Sequence, residues 1–100
     1  MATATLAIQV LPLQSEDVLA AVDAAIAAIK RTGVRHEVGP METTLEGDDL
    51  NALVEAAISA HRAALESSGS VQSNIRILSR PSGLMSMEEK IAPHRASPQS

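Results

Sequence analysis

Apolar and polar positions alternate along residues 5–11: Leu6, Ile8 and Val10 point one way, Ala7, Gln9 and Leu11 the other. A period of two predicts a first strand, and Pro12, which donates no ladder hydrogen bond, is expected to end it. The period then lengthens. Val18, Leu19, Val22, Ala25, Ile26 and Ile29 recur at helical spacing. Ser15 is the expected N-cap, Glu16 and Asp17 suit a helix N-terminus, and Lys30 and Arg31 suit the last turn before Gly33 at C′. Val34, His36 and Val38 share one face of a second strand over residues 34–38. Gly39-Pro40 marks a turn. Met41, Thr43 and Leu45 then alternate with Glu42, Thr44 and Glu46 in a third strand over residues 41–46, close enough for an antiparallel hairpin.

A second helical stripe follows: Leu50, Leu53, Val54, Ala57, Ile58, His61, Ala64 and Leu65, with Asp48 the expected N-cap and Ser67-Ser68-Gly69-Ser70 the stop. Residues 71–78 alternate again, with Val71, Ser73, Ile75 and Ile77 on one face and Gln72, Asn74, Arg76 and Leu78 on the other. After a loop at Arg80-Pro81-Ser82-Gly83, Ser86-Met87-Glu88-Glu89 has the form of a capping box and predicts a short helix over residues 87–91. Residues 92–100 are polar, interrupted by Pro93 and Pro98, and are expected to be a disordered tail.

The order βαββαβ, with two strand–helix–strand halves, predicts a single α+β domain over residues 1–91. Its architecture is a ferredoxin-like sandwich with a four-stranded antiparallel sheet, two helices on one face, and a short C-terminal helix. The helices should cover Leu6, Ile8, Val10, Val34, Val38, Leu45, Ile75 and Ile77. The open face then carries Gln9, Leu11, Arg35, Glu37, Thr44, Glu46, Asn74, Arg76 and Leu78. Leu11 and Leu78 on that face favour pairing with a second subunit.

Composition narrows the function. The 100 residues contain no Phe, Tyr, Trp or Cys. Disulfides and cysteine-based zinc sites are therefore excluded, and an aliphatic, alanine-rich core makes subunit association a plausible extra source of stability. RNA-recognition domains share the βαββαβ order but stack bases on strand aromatics, which this chain lacks. A net charge of −4 argues against nucleic acid and against an anionic membrane surface. No apolar run approaches a membrane span and no basic segment precedes one, so a cytoplasmic protein is expected. His36, His61 and His94 are too scattered for a metal site. No nucleophile elbow and no phosphate-cradling glycine loop is present, so no catalytic residues are expected.

Several short motifs occur in order: Val10-Leu11-Pro12, His36-Glu37-Val38-Gly39-Pro40, Thr43-Thr44-Leu45-Glu46-Gly47 and Met87-Glu88-Glu89-Lys90. In that order and at that spacing, across about residues 4–91, the chain resembles the small ferredoxin-like thiamine-binding proteins. The resemblance implies non-catalytic binding of thiamine or its hydroxymethylpyrimidine part. It also implies a homo-oligomer, a dimer or a tetramer built from dimers. Relatives often carry Tyr where this chain has His36, so His36 or Met41 would stand in for an aromatic ring against the pyrimidine.

The remaining candidates come from the same stretch. Glu46 could accept from an exocyclic amine or balance a thiazolium, or else pair with Arg35 or Arg76 as a strand carboxylate. Thr43 and Thr44 offer hydroxyls to ring heteroatoms, or simply fill a strand. Gly39 permits close backbone approach, to a ligand or within the turn itself. The expected ligand set is thus His36, Gly39, Met41, Thr43, Thr44 and Glu46. The competing reading is an oligomeric interaction or regulatory protein with no small ligand.

Overall fold

The computed structural model describes residues 2–13 and 16–95, with side chains through residue 93. The elements run β1 (Ala4–Pro12), α1 (Val18–Thr32), β2 (Arg35–Val38), β3 (Thr43–Gly47), α2 (Leu50–Ser68), β4 (Val71–Ser79) and α3 (Met87–Arg95). The strands form one antiparallel sheet in the order β2-β3-β1-β4. This is the ferredoxin-like sandwich, with α1 and α2 packed side by side on one face and a third helix following β4.

The helix ends follow from local chemistry. Gly33 and Gly69 adopt left-handed φ of 77° and 82°, and their N–H groups donate to the Lys30 and Leu65 carbonyls. The expected cap Ser15 lies outside the described residues; α1 is capped by Asp17, whose carboxylate accepts from the Ala20 N–H. On α2 the cap is Asp49, not Asp48. The Asp49 carboxylate accepts from the Asn51 and Ala52 N–H groups, while the Asp48 carbonyl faces the Thr3 hydroxyl. The capping box of α3 forms as expected: Ser86 N–H donates to Glu89 Oε1 at 2.9 Å, and Glu89 N–H to Ser86 Oγ at 3.1 Å. The helix it starts continues past residue 91 to Arg95, through Pro93. Proline there costs only the bond to the Glu89 carbonyl near the helix end. The part of the expected tail beyond residue 95 lies outside the described residues.

The core is aliphatic and small. Leu6, Ile8 and Leu45 from the sheet meet Ile29, Leu53 and the alanines at 21, 25, 56, 57, 60 and 64. Small side chains on both helices allow them to approach each other and the sheet closely. That is how a chain without aromatic residues reaches a closed core. Burial is concentrated on the central strands. Val38 on one edge, and Ile75 and Ile77 on the other, are exposed although they lie on the helix side, because two helices do not span four strands. Among the described residues no helix is long and apolar enough to cross a membrane.

Candidate functional site

The β2–β3 hairpin closes through Gly39, whose N–H donates to the Glu42 carbonyl at 2.9 Å. A Cβ on Gly39 would sit 2.8 Å from that same oxygen, so the close approach that glycine permits here is made within the turn. Residues 40–42 bend away from the sheet, and β3 begins at Thr43 rather than at Met41. Met41 is 75% exposed at the rim instead of packed under the helices.

The late start of β3 leaves a gap beside β1. The Leu13 N–H donates to the Ser70 carbonyl and the Arg80 N–H to the Thr3 carbonyl, so odd-numbered residues of β1 address β4. Even-numbered residues therefore address β3, where the pairing runs from Ala4–Gly47 to Ile8–Thr43 and stops. Val10 would face Met41, which has left the sheet. The Val10 N–H and C=O thus point, side by side, into an unpaired notch. Pro12 has the same parity, which explains how it continues β1: the N–H it lacks would have had no partner. Its expected role as terminator is corrected accordingly, since the strand includes it.

A cleft of about 320 Å³ occupies this notch, between α1, the second half of β1 and the hairpin turn. Ile8, Val22, Ala25, Ile26, Ile29 and Val38 give it apolar walls. Thr43, a residue only 8% exposed, supplies a hydroxyl that has no hydrogen-bond partner among the described residues. Glu42 lies at the rim, where its carboxylate pairs with Arg76.

The opposite face of the hairpin is built differently. Glu46 is 6% exposed, and its carboxylate is engaged on both oxygens: Arg35 Nε donates at 2.7 Å and the Met87 N–H at 3.0 Å. Arg35 also pairs with Glu88. The arrangement pins the N-terminus of α3 onto the open sheet face, where a carboxylate is favourable to the helix dipole. Leu84 and Met87 are buried beneath it. A second cavity of about 310 Å³ lies under α3, lined by Thr5, Ala7, Glu37, Thr44, Lys90 and Ile91 among others.

The six expected ligand residues therefore do not converge on one cavity. Gly39, Met41 and Thr43 line the cleft under α1; Thr44, with Gly39 at its edge, lines the cavity under α3; Glu46 lines a third depression near Ser86. His36 lines none of these, and its Nδ1–H donates to the Val34 carbonyl at 2.9 Å. Sequence reasoning missed the Val10 backbone and the α1 wall of Val22 and Ile26. The alternation hid this, because Met41 and Glu42 continue the period of β3 although they lie in the turn and not in the strand. His61 Nδ1 meets Ser73 Oγ at 2.6 Å and ties α2 to β4, away from the cleft. Among the described residues no cluster of three or more metal-ligating side chains occurs.

Known proteins share both sequence and fold with this chain. The family model for thiamine-binding proteins matches residues 6–95. A UPF0045 protein of Clostridium perfringens is 38% identical over 98 residues, covering 95% of this chain and 100% of that protein. A UPF0045 protein of Methanothermobacter thermautotrophicus is 35% identical over 92 residues. Among solved structures, a domain of unknown function from Bacillus cereus superposes with a TM-score of 0.81 at 36% identity, covering 94% of this chain and 91% of that one. A Thermotoga maritima protein, provisionally described as a thiamine biosynthesis/salvage protein, superposes at 0.77 with 26% identity, covering 93% and 99%. With a family match across nearly its whole length and relatives that align end to end, the chain belongs to the thiamine-binding protein family.

Proposed function

We propose that this chain binds thiamine, or its hydroxymethylpyrimidine part, without catalysing a reaction on it, and that the cleft under α1 is the site. The observation that carries this reading is the pairing of the open Val10 peptide edge with the buried, unpartnered Thr43 hydroxyl in an apolar cleft. A 4-aminopyrimidine presents a ring nitrogen acceptor next to an amine donor. An extended strand residue presents N–H and C=O side by side, the complementary pattern. The Thr43 hydroxyl completes a third polar contact and loses the penalty of burial without a partner. The apolar walls take the faces of the ring, in the role that aromatic stacking would otherwise fill. The cleft lies at the small end of ligand-pocket sizes, near ~300 Å³, which suits one pyrimidine ring. The net charge of −4 favours the cationic thiazolium.

Titration calorimetry with thiamine, with hydroxymethylpyrimidine and with the analogue carrying oxygen in place of the 4-amino group tests this directly. The first two should bind saturably. The oxygen analogue reverses donor and acceptor along the recognised edge and should bind at least tenfold more weakly, a difference of ~1.4 kcal/mol. Absence of heat at millimolar ligand, or equal binding of the oxygen analogue, overturns the reading in favour of an interaction protein without a small ligand.

A further inference from the structure

The methionines of this chain sit in very different surroundings. Of the four, Met1 lies outside the described residues. Met87 is 7% exposed, whereas Met85 and Met41 are 53% and 75% exposed. Met85 lines neither the cleft under α1 nor the cavity under α3. Met41 does line the cleft, because the turn through residues 40–42 carries it out from under the helices to the rim. Val38 and Pro40 line the same cleft and are exposed beside it. The rim is therefore apolar, and its most exposed member is a thioether.

The chain has no cysteine, so methionine sulfur is its oxidisable sulfur, and its reactivity follows access. With a peroxide the step is a two-electron oxygen transfer. The sulfur lone pair attacks one peroxide oxygen, the O–O bond breaks and an S–O bond forms. The proton on the transferred oxygen passes to the departing oxygen, which leaves as water. Sulfur is oxidised and the peroxide reduced. The product is no longer an apolar side chain but a polar, hydrated sulfoxide. Placing that group against apolar walls without a donor to bond it is costly.

We infer that Met41 is a modification site, at which oxidation of the thioether by a peroxide weakens binding in the cleft. The inference rests on the cleft under α1 being the pyrimidine site. Methionine is unbranched, and its three rotatable side-chain bonds let a residue at the rim fold over a ring lying against Val22 and Ile26. Its polarisable sulfur gains from contact with that ring. The sulfoxide stays in water, and the ring loses its cover. The fold is indifferent to the change, because the side chain is already exposed. The coupling is reciprocal: a bound ring shields Met41 from the peroxide. Enzymes that reduce methionine sulfoxide would restore the site.

Limited treatment with hydrogen peroxide, followed by peptide mass spectrometry and calorimetry with hydroxymethylpyrimidine, tests this. Met41 and Met85 should each gain one oxygen well before Met87. Affinity should fall about threefold or more, the scale of a lost thioether–ring contact, with the melting temperature unchanged. Met85→Leu should lose affinity on oxidation as the wild type does. Met41→Leu, compared with its own untreated sample, should lose none. Saturating hydroxymethylpyrimidine should slow oxidation of Met41 and leave that of Met85 unchanged, so Met85 serves as the internal reference. Oxidation of Met41 no faster than Met87, equal affinity before and after oxidation, or an equal loss in Met41→Leu overturns the inference. Absence of binding before any peroxide is added overturns the cleft reading itself, and the coupling with it.

Discussion

Thr43 and Glu46 lie three residues apart on one strand and are both buried polar residues, yet the structure treats them in opposite ways. The pleat sends Thr43 to the helix side, at the point where the pairing of β3 with β1 stops, and no group among the described residues hydrogen-bonds its hydroxyl. It sends Glu46 to the open side, where Arg35 and the Met87 N–H occupy the carboxylate. A satisfied buried group holds the fold together; an unsatisfied one at a cleft is available to a ligand. The difference separates a structural anchor from a recognition group within one hairpin.

Breaking the anchor should have the largest effect. Glu46→Ala leaves the buried Met87 N–H without its acceptor and releases Arg35 from the sheet. A loss of about 2–3 kcal/mol is expected for a charged hydrogen bond of this kind, and the urea midpoint should fall accordingly. Amide exchange should speed up through α3, while affinity for hydroxymethylpyrimidine changes little. Gly39→Ala comes next. Its Cβ cannot sit 2.8 Å from the Glu42 carbonyl, so the turn must shift, at about 1–2 kcal/mol for a local steric conflict. Because Gly39 borders both cavities, stability and ligand affinity should fall together, measured by denaturation and calorimetry.

Thr43→Val tests the other half of the comparison. Thermal stability should stay level or rise slightly, since a buried hydroxyl without a partner is replaced by a methyl group. Pyrimidine affinity should drop about fivefold, the value of one hydrogen bond near ~1 kcal/mol. The smallest effect concerns acid. The Ser86 N–H, and then the Ser86 hydroxyl, hold the Glu89 carboxyl below its ordinary value. A depressed carboxylate contributes stability above its ordinary titration range and loses it as pH falls through the folded value. The capping box should therefore loosen below pH 4.5, visible as fraying of the Met87–Lys90 amide signals before the sheet signals change.

The fold was legible because each element carries a clean period: Leu6, Ile8 and Val10 cannot alternate on a helix, and the α1 and α2 stripes cannot sit on a strand. Ends were less legible where two residues offer the same chemistry, as Asp48 and Asp49 do. The hairpin's two faces were readable from alternation alone. The engagement of Glu46 was not, because its partner Met87 lies forty-one residues further along the chain. The openness of Thr43 depends on where β3 stops beside β1, a register that no single segment contains. The burial of Leu84 and Met87 had a faint signal in two apolar residues, one just before the capping box and one inside it.

The most direct test of the central claim is the two-dimensional amide spectrum of the labelled protein during titration with thiamine. The account predicts that the Val10 and Thr43 amides shift most, with Val22 and Ile26 following, while Glu46 and Met87 stay in place. Shifts confined to Thr44, Glu46, Met87 and Lys90, with Val10 unmoved, would place the ligand under α3 and contradict it.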